Sequence, residues 1–363
     1  MRSVETHVSG LWTIVRLFLL WPMMAVTIYA TPYTGQEGEN IPIVQTSDDP
    51  VPESVGTRRA IPRFVIGPPG NQDLAAHRQL ITQPEQWETL RPRVGALLCT
   101  ARAMIAQHAD DGELETAMQR LRMLQVPLEI EVGALKEWGK TGEATYHAQT
   151  AEWDRILGAG GDILSFAMDE PLICARERMD MPPEIAMEFA ATETATFVEL
   201  VSRNYPGILI GDVEGYPYLS ADEIIAWIDL LESRLRERGV RGLDFFRLDI
   251  DTMHFIARSG GDWHGVRRIE EHCRQRGLPL SVVYWAANYP AAQRMKIADD
   301  RTWYAAIMQM GFEYAYTGGK PDQYVIESWV GAPEKTLPET DPFTFTGSSL
   351  DFVQRYVPEH TLP

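Results

Sequence analysis

The stretch RLDIDTMHF, residues 247–255, closes an apolar segment with acidic side chains. In an extended chain alternate side chains share one face, so Arg247, Asp249 and Asp251 are expected to point one way. The intervening leucine and isoleucine are expected to point the other way. The charged face is therefore predicted to border a cavity, and the apolar face to pack in a core.

The same arrangement recurs in four other apolar segments, each of which ends with carboxylates. These segments are LEIE (128–131), ILSFAMDEP (163–171), ILIGDVE (208–214) and YVIE (324–327). Five acidic strand ends in one chain indicate a fold that brings the ends of its strands together.

Three further apolar segments, residues 63–67, 94–99 and 280–285, complete a set of eight predicted strands with helix-compatible stretches between them. The clearest helix begins with a capping-box pattern at Ser220 and is expected to stop at Gly239. Eight strands alternating with helices predict a single closed (β/α)8 TIM barrel, for which about 250 residues are typical. The rival is an open doubly wound sheet, whose GxGxxG phosphate-binding turn the sequence lacks.

The barrel is predicted to occupy residues 62–363, after an N-terminal segment of a different kind. Residues 1–30 are predicted to be a secretory signal peptide because the apolar run 17–30 is short and ends in small residues, with an uncleaved membrane anchor as the alternative. Residues 31–61 have the composition of a linker or disordered lead-in. The protein is therefore expected to be secreted or periplasmic, with no stable membrane insertion once the signal is removed.

The composition argues against some classes of binding partner. The 363 residues are 45% apolar, enough for a packed core, and carry a formal net charge of −18. This charge disfavours nucleic acid, whose phosphates require basic patches. Cys99, Cys174 and Cys273 are too widely spaced for a CxxC metal site, so either one disulfide or, preferably, buried free thiols are expected. No cofactor is predicted, and the oligomeric state stays open.

Functional groups of a TIM barrel lie at the carboxyl ends of its strands. The carboxylates at those ends are the candidate catalytic residues: Asp169, Glu170, Asp212, Glu214, Asp249, Asp251 and Glu327. Strand alternation puts Asp212 with Glu214, and Asp249 with Asp251, on shared faces, so both pairs are expected to converge on one site. For each residue alone, a turn or capping role is the alternative. Glu129 is expected to be a solvated or salt-bridged barrel residue.

Aromatic and polar side chains fall at or just beyond the same strand ends. Sugars stack their CH-rich faces on aromatic rings and bond their hydroxyls to carboxylates and amides. A carbohydrate substrate is therefore predicted, bound by Glu131, Arg247, Tyr216, Trp285, Asn288 and Trp329. For any one of the aromatic residues, packing in the core is the alternative.

The motifs MDEP (168–171), GDVE (211–214) and IESW (326–329), on a predicted eight-stranded barrel, resemble those of barrel glycoside hydrolases. The resemblance implies that Glu170, at the end of the fourth strand, is the proton donor. The nucleophile that many such enzymes carry on the seventh strand has no counterpart, because residues 283–285 read VYW.

The second carboxylate therefore stays open. Some barrel glycosidases pair the fourth strand with the sixth, and the candidates are then Asp249 and Asp251, with Glu327 as the other choice. The chemistry needs one protonated and one ionised carboxyl group. Arg247 is expected to hold its neighbours on the sixth strand ionised.

Two other classes of function compete with this interpretation. Asp212, Glu214, Asp249 and Asp251, with His254, could bind Mg²⁺ or Ca²⁺ in a metal-dependent hydrolase or lyase. The low number of histidines, eight in all, argues against a zinc site. A glycan-binding protein without catalysis is the third possibility, which the surplus of carboxylates disfavours.

Overall fold

The structure, a computed structural model, describes residues 59–69, 75–257 and 261–358. The predicted signal peptide and all but the last three residues of the predicted lead-in lie outside the described residues. Both therefore stay predictions.

Eight parallel strands pair in chain order and close into a barrel. They are β1 (Phe64–Gly67), β2 (Ala96–Thr100), β3 (Leu128–Val132), β4 (Ile163–Asp169), β5 (Leu209–Tyr216), β6 (Phe245–Ile250), β7 (Leu280–Tyr284) and β8 (Gln323–Glu327). The predicted (β/α)8 fold is confirmed. The strand β5 continues two residues beyond the predicted segment 208–214.

Helices connect successive strands and surround the barrel. In the described chain they are α1 (Ala75–Thr82), α2 (Ala101–Ala106), α3 (Asp111–Leu124), α4 (Gly142–Gly158), α5 (Pro171–Ile173), α6 (Pro183–Asn204), α7 (Ala221–Glu237), α8 (His254–Ala257), α9 (Trp263–Arg276), α10 (Tyr289–Arg294), α11 (Asp300–Tyr316) and α12 (Phe345–Tyr356). The predicted capping box is present at the start of α7, where Ser220 and Glu223 bond reciprocally. None of the described helices is long and apolar enough to cross a membrane.

The strand register decides which side chains enter the barrel. Gly215 pairs with Asp249 and Val213 with Arg247, and Asp169 pairs with Val213, so these residues share the inner face. Side chains of the opposite parity pack against the surrounding helices in the main apolar core. The charged residues whose strand positions place them on the inner face are Glu129, Glu131, Asp169, Arg247, Asp249 and Glu327.

A buried polar layer crosses the barrel below its carboxyl-end mouth. The Arg247 guanidinium forms an ion pair with Glu129 (2.7 Å) and donates to Ser281 Oγ (2.9 Å) and Gln323 Oε1 (2.7 Å). Ser165 Oγ donates to the other Glu129 oxygen at 2.8 Å. Buried charges need such partners, because their desolvation costs several kcal/mol per ion. The layer links β3, β4, β6, β7 and β8.

The three cysteines are free and buried, as was preferred over one disulfide on the sequence alone. Burial raises the pKa of the Cys174 thiol to about 11, so this group stays protonated at neutral pH.

Candidate active site

Six carboxyl groups meet at the mouth of the barrel, at the ends of β3, β4, β6 and β8. They affect one another's ionisation: burial raises the pKa of Asp249, and Glu170, Asp251 and Asp169 add to the rise, while burial and then Glu131 raise the pKa of Glu327. The six groups are those of Glu131, Asp169, Glu170, Asp249, Asp251 and Glu327.

Glu170 follows β4 in a left-handed backbone conformation (φ 47°), which is uncommon for a residue with a side chain. Its N–H donates to Val213 O (2.9 Å), and its carbonyl accepts from Cys174 N (2.9 Å). The carboxylate lies over the end of β5, where a Cβ on Gly215 would come within 3.0 Å of Glu170 Oε1. Such strained conformations cost on the order of 1–3 kcal/mol and cluster at functional sites.

Burial raises the pKa of Glu170 to about 7, and the charge of Asp169 adds to the rise. Lys136 and Arg178 oppose it, the latter with its Nη2 at 3.4 Å from Glu170 Oε2. Burial and Asp169 likewise raise the pKa of Glu131 to about 7. Both groups therefore change protonation near neutral pH.

Asp169 behaves in the opposite way because it forms an ion pair with the buried Lys136. Burial alone would raise the pKa of Asp169, but the ammonium group of Lys136 overrides it and lowers the pKa below its usual value. The same pair raises the pKa of Lys136 against the effect of its own burial. An ionised carboxylate thus lies next to Glu170.

Lys136 was missed by the sequence analysis. It lies in the loop between β3 and α4, and the only signal was a lysine five residues beyond the acidic end of β3, at Glu131. Nothing in the sequence connects that loop with Asp169, because the contact exists only once β3 and β4 are adjacent.

Asp249 and Glu327 have pKa values well above the usual range. For Asp249 the causes are burial and then the charge of Glu170, and its Oδ1 has no hydrogen-bond partner in the described structure. For Glu327 they are burial and then the charge of Glu131. The expectation that Arg247 holds Asp249 ionised is wrong, because the guanidinium is paired with Glu129 one layer deeper.

Asp251 anchors the loop that follows β6. Its Oδ2 lies 2.6 Å from His254 Nδ1 and accepts from the Tyr218 hydroxyl at 3.3 Å, while its Oδ1 accepts from Met253 N at 3.0 Å. Because both oxygens are engaged, Asp251 is a weaker nucleophile candidate than Asp249.

Asp212 and Glu214 do not converge with Asp249, contrary to the prediction. Asp212 Oδ2 accepts from Trp227 Nε1 on α7 (2.6 Å), and Glu214 accepts from Leu172 N (2.6 Å) at the start of α5. Burial raises the pKa of Asp212 to about 8. Both carboxyl groups face the helices, so their bonds hold α5 and α7 to the barrel.

The inner face of β5 is lined instead by Gly211, Val213 and Gly215. A Cβ on Gly211 would lie 2.1 Å from the Phe245 ring, and Gly215 makes room for Glu170. The glycines four residues apart were the sequence signal for this orientation.

Two of the predicted substrate-binding residues, Tyr216 and Arg247, do not lie at the barrel mouth. The Tyr216 side chain is fully buried on the helix side, where its hydroxyl accepts from Asp262 N (3.0 Å) and donates to Asp262 O (3.1 Å). Arg247 is 1% exposed and belongs to the polar layer below the mouth. Neither can contact a substrate directly, because neighbouring side chains enclose both.

The other predicted binding residues remain at the mouth. Trp285 and Trp329 follow β7 and β8 and form an aromatic pair, with ring centroids 4.5 Å apart and planes at 36°. Asn288 precedes α10, and its Oδ1 has no hydrogen-bond partner among the described atoms. Glu131, near the end of β3, is the fourth predicted binding residue at the mouth.

The set of residues considered for Mg²⁺ or Ca²⁺ is divided between two faces of the barrel wall, because Asp212 and Glu214 point to the helices and Asp249 points inward. Within residues 59–69, 75–257 and 261–358, no three or more His, Cys, Asp or Glu side chains are grouped so as to hold a metal ion.

No protein-family model and no curated protein sequence matches this chain. Solved structures with a similar fold include deoxyribose phosphate aldolase from Aeropyrum pernix, with 12% identity and a TM-score of 0.43 over 82% of this chain and 90% of that one. Native xylanase10C from Cellvibrio japonicus has 10% identity and a TM-score of 0.46 over 75% and 62% of the two chains. D-psicose 3-epimerase has 12% identity and a TM-score of 0.41 over 80% and 89%. Likenesses at this level concern the fold and carry no argument about function.

Proposed function

We propose that this protein is a glycoside hydrolase in which Glu170 donates a proton to the leaving oxygen. The observation that carries the proposal is the split between two adjacent carboxyl groups at the barrel mouth. Asp169 is held ionised by Lys136, whereas the pKa of Glu170 is raised to about 7. A general acid is most effective when its pKa lies near the working pH, and glycosidases need one carboxyl group in this state.

The charge of the mouth supports the same chemistry. Glycosidic bond cleavage passes through a transition state with oxocarbenium character, which is positively charged. Six carboxyl groups surround the mouth, and the described cations whose charges oppose them are Lys136, Arg178 and Arg247. Asp169, which Lys136 holds ionised, and those of the other carboxyl groups that ionise provide negative charge in a partly desolvated site, where it stabilises developing positive charge more than water does. The Trp329 ring, which is partly exposed and packs against the buried Trp285, offers a surface on which a sugar can stack.

Asp249 is the proposed partner of Glu170, as nucleophile or as the base that activates water. Glu170 lies over Gly215, which pairs with Asp249 on β6. The charge of Glu170 adds to the burial that raises the pKa of Asp249. Burial and the neighbouring charges disfavour the ionised form of Asp249. Where Asp249 does ionise, its charge favours the protonated form of Glu170, which gives the one ionised and one protonated carboxyl group that the reaction needs. For Glu327, the charge that contributes most to the raised pKa is that of Glu131, so Glu327 is the second candidate.

Export of the protein belongs to this proposal as well, since the predicted signal peptide would bring the enzyme to extracellular or periplasmic glycans. Recovery of protein that begins at residue 1 from the cytosol would contradict it.

The test of the catalytic proposal is Glu170→Gln, which preserves shape but removes the proton. Turnover of natural glycans should fall about 10²–10⁴-fold, the usual contribution of general acid catalysis. Aryl glycosides with activated leaving groups need little protonation and should lose much less. Glu184→Gln, at the exposed start of α6, is the matched control and should have no effect.

A folded Glu170→Gln protein with nearly full activity on natural glycans would show that another group is the acid. Complete loss of wild-type activity on chelation, restored by Mg²⁺ or Ca²⁺, would favour the metal-dependent class. Glycan binding without turnover would favour the non-catalytic class.

A further inference from the structure

Trp138 is an exposed aromatic residue at the rim of the mouth. It lies in the loop between β3 and α4 with 52% of its surface exposed. A Cβ on Gly133 would lie 3.1 Å from Trp138 Cζ2 and 2.6 Å from Lys136 Cγ, so the indole packs over Gly133 beside Lys136. Gly133 is two residues beyond Glu131 and therefore lies on the same, inward side of the chain. Lys136 forms an ion pair with Asp169. The ring therefore borders the carboxyl cluster.

The aromatic pair Trp285 and Trp329 lies on the far side of the same mouth. In a closed barrel of eight strands in chain order, β3 and β7 are four strands apart and face each other. Strands about 4.8 Å apart and tilted by about 36° make such a barrel about 15 Å across. A single sugar ring cannot stack on Trp138 and on the pair at the same time.

We propose that Trp138 is a second sugar-binding platform, so that the site accepts an oligosaccharide lying across the mouth. This inference rests on the proposed glycosidase function. A half-exposed indole offers an apolar face and an N–H to solvent, which suits the CH-rich face and hydroxyls of a sugar. The carboxyl groups between the two platforms repel anionic glycans, so the ligand is an oligosaccharide of neutral or amino sugars rather than a uronate or a sulfated chain.

Exposed aromatic residues also occur away from the mouth and provide the control. Tyr316 on α11 is 82% exposed and stacks on Phe312, with ring centroids 5.9 Å apart. This pair lies on a helix of the outer ring, so its removal tests for a non-specific effect of losing a surface aromatic.

The test measures calorimetric binding of xylo-, cello-, manno- and chito-oligosaccharides of one to six units to the Glu170→Gln protein. In that background, Trp138→Ala should weaken binding of the longest bound oligosaccharide about tenfold, the loss expected for one stacking contact. Binding of the shortest one should not change. Tyr316→Ala should leave both unchanged.

Equal affinities with and without Trp138 at every length would overturn the inference, as would failure of every oligosaccharide to bind. Hydrolysis of alkyl monosaccharide glycosides by the wild type separates the two proposals, because their leaving groups need protonation. If that activity is present and depends on Glu170, only the second platform is wrong. If it is absent as well, the glycosidase function fails too.

Discussion

For individual residues, ionisation at this site is decided by neighbours rather than by residue type. Asp169 and Glu170 are adjacent in sequence, yet their pKa values move in opposite directions. The sequence placed both at a strand end, since an apolar run that ends in carboxylates is visible without a structure. It could not predict the split, because Lys136 approaches Asp169 from a different loop.

Glu131 should lower the stability of the protein at alkaline pH. Its pKa rises from 4.5 to about 7 on folding, so its favourable contribution is complete below pH 4.5 and is lost as the pH rises through about 7. The amide introduced by Glu131→Gln is uncharged at every pH in this range. Relative to the wild type, the free energy of unfolding of this variant should therefore increase by up to about 3 kcal/mol between pH 4.5 and pH 8.

Urea denaturation at both pH values measures this difference. The exposed control Glu184→Gln should show no such dependence on pH. A Glu131→Gln effect of equal size at pH 4.5 and pH 8 would contradict the account.

For single strands, alternation predicts two faces but not which face points inward. The orientation of β6 was predicted correctly, with Arg247 and Asp249 inside. The orientation of β5 was wrong, because acidic residues at a strand end also bond to helices, as Asp212 does to Trp227. Gly211 and Gly215 carried the correct information, since glycine at inward positions makes room for side chains from neighbouring strands.

Gly215→Ala should impair catalysis more than stability. The added methyl would lie 3.0 Å from Glu170 Oε1 and 2.9 Å from Ile173 Cδ1, so the carboxyl group must move. A displacement of this kind should lower kcat on natural glycans by about 10- to 100-fold. Gly207→Ala, where a Cβ meets no atom within 4 Å, is the control. Normal kcat in a folded Gly215→Ala protein would show that the position of Glu170 is not critical.

For the whole molecule, the repeated order of strands and helices was enough to predict the barrel. Contacts across the barrel were not predictable in the same way, because they form only when the sheet closes. Glu129 was expected to be salt-bridged or solvated, and the structure confirms a salt bridge; its partner Arg247 was expected to bind substrate instead. Arg247 lies two residues before Asp249 on β6 and is in register with Ser281, so its side chain bonds in the layer below the mouth.

Arg247→Met should destabilise the protein by about 3–5 kcal/mol, because it leaves the buried carboxylate of Glu129 without a counter-charge. The double variant Glu129→Gln/Arg247→Met removes that charge and should recover part of the loss. Chemical denaturation of the two variants and the wild type provides the comparison. A single variant as stable as the wild type would mean that the polar layer contributes little to the fold.

The pH dependence of kcat/KM on natural glycans tests the central claim most directly, since it reports the pKa values of the free enzyme. Glu170 must be protonated to act, and its pKa is about 7. Activity of the wild type should therefore decline as the pH rises through about 7, and this decline should be absent from the residual activity of Glu170→Gln. Glu131 titrates in the same range, so Glu131→Gln is combined with both proteins. The same decline with and without Glu170 in that background would show that Glu170 is not the proton donor.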